Sequence, residues 1–238
     1  MTVRLLVTRP EPDAERTAAA LRARGHEVVI APLLRIEAIE DAEIGSGPWA
    51  AILVTSANAA PAVVQHERFA ELRSLPAFAV GERSAQAMRA AGFADVTSAD
   101  GKVADLARLV AQRSRPGAPL LYLAGANRSG DLAGDLSAHG FMVRTTVIYR
   151  AVAVAVLPRA AADALAGGID GVLHFSRRSA ETYVSAARGA GLLASALKPI
   201  HFCLSAQVAE PLAQAGAADI RIAPRPVEAA MIELILSP

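Results

Sequence analysis

The sequence predicts an α/β fold: two similar doubly wound parallel-sheet lobes joined by a two-stranded β-ladder. Three observations carry that expectation. Short apolar runs alternate with Ala-rich segments of helical spacing, the pattern falls into two similar halves, and two extended segments stand outside it at equivalent places.

The alternation begins at once. Leu5-Leu6-Val7 reads as a strand. From Asp13 to Arg24, the small or apolar residues Ala14, Thr17, Ala18 and Leu21 recur at helical spacing, and Gly25 is placed as the C-cap. Val28-Val29-Ile30 reads as the next strand. Strands alternating with helices argue for a parallel sheet covered on both faces. The repeat is collinear. Leu5, Gly25 and Val28 match Leu120, Gly140 and Val143 at an offset of 115. Ile52 to Ser56 matches Val172 to Ser176 at 120, and Phe78, Ala85, Gly92 and Asp95 match Phe202, Ala209, Gly216 and Asp219 at 124. Two similar units are the simplest explanation. Taken alone, the repeat divides the chain near residue 118.

The outlying segments are Leu33 to Ile39 and Thr145 to Val154. Both are extended-looking, and both are too apolar for disordered linkers. Arg35 and Arg150 within them are again 115 apart. Strands at equivalent places can pair as a ladder between two lobes.

Composition narrows the function. A chain of 238 residues, 53% hydrophobic, suits one large or two small domains with real cores. Lys and Arg number 24 against 23 Asp and Glu, and a net charge of +1 gives no field to draw in nucleic acid or a membrane surface. Lys102 and Lys198 are the only lysines; the other basic residues are Arg, which meets carboxylates bidentately, although a codon bias gives the same count. The single cysteine, Cys203, makes no internal disulfide and reads as a buried thiol. The opening residues do not read as a signal peptide, and no run approaches the roughly 20 apolar residues of a membrane span. The expected location is cytoplasmic. His26, His66, His139, His174 and His201 lack metal-ligand spacing, and His26 and His139, beside helix-ending glycines, read as exposed caps. There is no dinucleotide or phosphate loop and no nucleophile elbow. No metal or cofactor is expected, which leaves chemistry by positioning, desolvation and acid–base help.

Ligands of open α/β sheets bind at the carboxyl ends of strands. The residues at those ends are Thr8-Arg9-Pro10, Thr55-Ser56-Ala57-Asn58, Gly81-Glu82-Arg83-Ser84, Ala124-Gly125-Ala126-Asn127-Arg128 and Ser176-Arg177-Arg178-Ser179. Two readings fit them. Each is a helix N-cap and nothing more, or the set together holds a ligand with several carboxylates. Tyr149, one of three tyrosines, lies in the second outlying segment. Its hydroxyl points into a cleft, or its ring packs on a neighbouring strand.

These motifs, in this order, resemble the uroporphyrinogen-III synthase family. The residues that carry the resemblance are Val7-Thr8-Arg9-Pro10, then Leu21, Gly25, Val28 and Pro32; Thr55-Ser56-Ala57-Asn58-Ala59; Ala79-Val80-Gly81 with Ser84-Ala85; Leu123, Gly125 and Arg128; Val147-Ile148-Tyr149-Arg150; and Phe175-Ser176. The resemblance covers nearly the whole chain. It implies a crossed chain path, with residues 1–36 and 152–238 in one lobe, 40–146 in the other, and 33–40 and 147–153 as connecting strands. It implies an enzyme that dehydrates and cyclises hydroxymethylbilane, a linear tetrapyrrole with eight carboxylates, and inverts its last ring. No cofactor is implied, and a monomer is expected. Tyr149 would assist loss of the hydroxyl. Thr8, Arg9, Ser56, Ala57, Asn58, Gly81, Ser84, Gly125, Arg128, Ser176 and Arg177 would bind substrate. The sequence departs from the family at Ser205-Ala206-Gln207-Val208-Ala209, where Gly and a hydroxyl residue are usual. That departure supports an alternative: a non-catalytic tetrapyrrole-binding or regulatory protein on the same scaffold.

Overall fold

The computed structural model describes residues 2–128 and 130–236. The chain opens with β1 (Arg4–Val7), α1 (Asp13–Arg22), β2 (Glu27–Ile30) and β3 (Leu34–Ala38). It continues through β4 (Ala51–Val54), α2 (Ala59–Val64), α3 (Phe69–Leu72), β5 (Ala77–Ala79), α4 (Glu82–Ala90), β6 (Val96–Ser98) and α5 (Val103–Arg113). Next come β7 (Leu120–Gly125), α6 (Leu132–Ala138), β8 (Val143–Ala153), α7 (Arg159–Gly167), β9 (Gly171–His174) and α8 (Arg177–Gly189). The last elements are α9 (Leu193–Ala196), β10 (Ile200–Cys203), α10 (Ala206–Ala215), β11 (Ile220–Ile222) and α11 (Glu228–Leu236).

Two compact units result, residues 2–35 with 152–236, and residues 36–151. The first holds a five-stranded sheet of order β11-β10-β9-β1-β2. The second holds a six-stranded sheet of order β3-β8-β7-β4-β5-β6. No boundary falls near residue 118, where the repeat alone would divide the chain. The strands on either side of that point, β4 and β7, pair in parallel within one sheet.

The apolar runs behave as strands covered on both faces should. Along β1, Leu6 enters one core while Leu5 and Val7 enter another. Along β4, Ile52 and Val54 face one core, and Ala51 and Leu53 face the other. Side chains alternate between faces with period two, so a covered strand is apolar throughout.

Three local expectations need correction. Helix α1 ends at Arg22 with Ala23 as its C-cap, short of Arg24. Gly25 still supplies the left-handed residue of the turn, at φ 84°. His26 is not an exposed cap. It is 8% exposed, and its Nδ1 accepts from the Val3 N–H at 3.4 Å, tucked beneath the start of β1. His139 is exposed at the end of α6. The second outlying segment does not begin a new strand at Thr145. It is continuous with the preceding run as the 11-residue β8, whereas the corresponding β2 and β3 are separate. Pro32 lies in the gap between β2 and β3, and its counterpart at the 115 offset is Val147. Proline has no N–H for the ladder, and valine does.

Candidate active site

Tyr149 owes its position to an irregularity in β8. Ala124 pairs with Val147, but Gly125 pairs with Tyr149, so the register shifts between them. The inserted residue is Ile148, and Ile148 and Tyr149 are consecutive and both buried. A regular strand would send them to opposite faces. A bulge re-aims a side chain, and bulges gather beside active sites. Here it brings the Tyr149 ring over the backbone of Gly125. A Cβ on Gly125 would fall 2.6 Å from Tyr149 Cζ and 2.7 Å from its hydroxyl oxygen, so only glycine leaves the phenol this place.

The end of β4 completes the setting. Ser56 and Tyr149 line the same pocket, with the Ser56 side chain acting on the phenol oxygen. Ser56 Oγ also accepts from the Asn58 N–H at 3.2 Å, which fixes the serine rotamer. The neighbouring Thr55 hydroxyl pairs with Tyr122 Oη at 2.7 Å. Burial pushes the Tyr149 phenol above its ordinary value; the Ser56 side chain offsets this in part, and Tyr122 adds to it. The phenol therefore stays protonated at neutral pH and can donate a hydrogen bond.

A pocket of about 480 Å³ opens in this unit, and Tyr149, Ser56, Asn58, Gly125 and Arg128 all line it. These five are among the residues singled out in the sequence. Ala57 lies beside them in the β4–α2 turn; Gly81 caps α4 next to Val80, which lines the pocket. Ser84 is 6% exposed on α4 and does not line it. Sequence reasoning missed Lys102, which does. It follows β6, a three-residue strand of half-buried residues with no apolar run to announce it.

The other four candidates belong to the first unit, and their polar groups serve its packing. Thr8 is fully buried, and its hydroxyl donates to the Leu173 carbonyl at 2.8 Å, tying β1 to β9. Arg9 pairs with Asp13 at 2.9 Å and Glu228 at 3.3 Å, with its guanidinium 4.1 Å from the centre of the Phe175 ring. Ser176 caps α8, accepting from the Ser179 N–H at 3.1 Å. Arg177 pairs with Glu181 and Glu210. Among the described residues, no group of three or more His, Cys, Asp or Glu side chains is placed to hold a metal. Among them too, no helix is long and apolar enough to cross a membrane.

A family model described as uroporphyrinogen-III synthase HemD matches residues 15–233. The chain belongs to the uroporphyrinogen-III synthase family. Among solved structures, uroporphyrinogen-III synthetase from Helicobacter pylori 26695 aligns over 99% of this chain and 99% of its own, at 18% identity and a TM-score of 0.65. Uroporphyrinogen III synthase from the extremely thermophilic bacterium Thermus thermophilus aligns over 98% and 96%, at 16% identity and a TM-score of 0.46. At 18% identity the Helicobacter likeness speaks to the shared fold. A comparison with curated proteins gave no match.

Membership in the uroporphyrinogen-III synthase family gives the departure at Ser205 to Ala209 a sharper meaning. Ser205 caps α10 at φ −158° and ψ 169°, and its counterpart Gly81 caps α4 at φ −157° and ψ 166°. That extended backbone suits any residue, so serine brings no strain where glycine is usual. Val208 is 5% exposed within an apolar core, as its counterpart Ser84 is 6% exposed. Valine suits such a position. The departure leaves the fold intact.

The Gly125 contact yields a test. Gly125→Ala should displace the phenol, costing at least tenfold in kcat, because a misplacement of about 1 Å can cost 10²-fold. Overpacking should also lower stability by about 1–3 kcal/mol. Steady-state kinetics and urea midpoints measure both. A variant with wild-type kcat would show that the phenol's place over Gly125 is irrelevant to turnover.

Proposed function

We propose that this chain converts hydroxymethylbilane to uroporphyrinogen III, as a cyclising hydro-lyase of heme biosynthesis, with Tyr149 as its acid. The family match over residues 15–233 carries the reading. The buried Tyr149 above Gly125, with half-buried Ser56 at its hydroxyl, supplies the chemistry. The protonated phenol donates to the departing hydroxyl, which leaves as water. The hydroxymethyl carbon on the first ring, which loses it, becomes electrophilic. Attack on it by the last ring, at that ring's own substituted α-carbon, gives the spiro intermediate. The bond from the spiro carbon to the neighbouring ring's methylene then breaks, and the last ring's free α-carbon captures that methylene. Loss of the α-proton, which returns to the Tyr149 phenolate, leaves the macrocycle with that ring inverted. Ser56, Asn58 and Arg128 hold the substrate beside Tyr149.

Unassisted closure gives isomer I, so the fraction of isomer III reports the protein's own contribution. Hydroxymethylbilane generated in situ is supplied to the purified protein without added metal or nucleotide. Oxidation and chromatography then separate the porphyrins. Dominance of isomer III is expected. A product that stays isomer I would move the reading to a tetrapyrrole-binding protein on the same scaffold.

A further inference from the structure

We propose that Lys102 is a specificity-determining residue of the Tyr149 pocket, gripping a carboxylate of the substrate at its rim. This rests on the function proposed above. The pocket is lined by two cations, Lys102 and Arg128, and by no aspartate or glutamate among the described residues. That imbalance is local, because the chain as a whole has 24 basic and 23 acidic residues.

The surroundings of Lys102 explain why its ammonium is available. It is the N-cap residue of α5, with extended backbone at φ −103° and ψ 178°. The nearby acid is Asp105. Its Oδ2 accepts the Lys102 backbone N–H at 2.8 Å, and its Oδ1 pairs with Arg108 at 3.0 Å. These partners hold the Asp105 carboxyl below its ordinary range, with the Lys102 backbone hydrogen bond first and the Lys102 charge the least of the causes. Asp105 is thereby satisfied without a direct contact to the ammonium. Neither Lys102 nor Arg128 closes an ion pair with a described residue, whereas Arg9, Arg68, Arg89 and Arg177 all do. The dipole of α5 adds to the attraction for an anion at this end. A flexible ammonium reaches one carboxylate as a point charge, while Arg128 meets a second in a planar fork. A substrate with an acidic side chain at the ring beside Tyr149 is therefore preferred to one with a neutral chain there.

Kinetics and direct binding test this together. Lys102→Gln should raise KM roughly three- to tenfold, with kcat and the isomer III fraction held. Lys102→Arg should restore KM, and Lys198→Gln, an exposed lysine of the other unit, should change nothing. KM of the wild type should rise with salt more steeply than that of Lys102→Gln. Calorimetric titration with uroporphyrinogen III under anaerobic conditions reads affinity without turnover. Equal affinity and KM for wild type and Lys102→Gln overturn the proposal, even if isomer III is made. Weaker binding by Lys102→Gln in a protein that makes only isomer I sustains the carboxylate grip and overturns the catalytic reading. A wild type that neither turns over nor binds overturns both.

Discussion

Tyr149→Phe is expected to lower kcat by about 10²–10⁴-fold, the usual range for one positioned acid. The substitution is unusually clean. The ring keeps its packing over Gly125, and the Ser56 oxygen still accepts from the Asn58 N–H, so no buried acceptor is orphaned. The donor to the leaving hydroxyl disappears, together with the Ser56 interaction at the phenol oxygen. KM and the urea midpoint should stay near wild type. Because the Tyr149 pKa is raised, the wild-type rate should show no fall from this group in the neutral range. A Phe variant with undiminished kcat would reduce Tyr149 to a packing residue and leave dehydration without an acid from this pocket.

Acidification should destabilise the first unit well above the pH at which carboxylates titrate. His174 on β9 and His201 on β10 are each 0% exposed, with His174 Nε2 3.1 Å from His201 Nδ1. One ring donates to the other. The outer nitrogens, His174 Nδ1 and His201 Nε2, have no hydrogen-bond partner among the described residues. Tyr183 of α8 packs edge-on against both rings, and its own hydroxyl donates to the Ala196 carbonyl. Burial drives His174 well below its ordinary value, helped by the adjacent ring. Burial takes His201 down to about 4, although the Asp219 charge pulls it up. The unfolded chain binds protons at these sites below pH ~6.5 and the folded chain does not. Stability is therefore fully present above that pH. It falls as pH drops toward 4, by about 1.4 kcal/mol per pH unit for each histidine. Urea midpoints at pH 7.5 and 5.0 measure the loss. Substituting both histidines with Leu should flatten the difference between the two pH values. An equal pH dependence in wild type and double variant would mean that these rings do not govern acid unfolding.

The alternation of strand and helix was legible because covered strands are apolar on both faces; Leu5-Leu6-Val7 and Ile52-Leu53-Val54 announce themselves. Two of the edge strands lack that signal. Val96-Thr97-Ser98 of β6 and Ile220-Arg221-Ile222 of β11 are short and half-buried, and Lys102 lies behind the first of them. In the site, the strand-end rule brought Ser56, Asn58, Gly125 and Arg128 to one pocket with Tyr149. The rule cannot tell a residue available to a ligand from one already held. Arg9 looks alike in sequence to Arg128. Glu228, which holds Arg9, is distant in the chain, and so is the Leu173 carbonyl that takes the Thr8 proton. The contact between Gly125 and Tyr149 was also hidden, because it depends on one residue of register.

The order in which the strands lie has a consequence for synthesis. β1 sits between β2 and β9, so it waits for one of its neighbours until residue 171 has been made. The unit formed by residues 36–151 is uninterrupted and complete before then. Domains fold as units during translation. The middle of the chain can thus take up its core, with Tyr149 already over Gly125, while β1 and β2 still lack their sheet. The segment of β1 and β2, made before the middle of the chain, is buried after it.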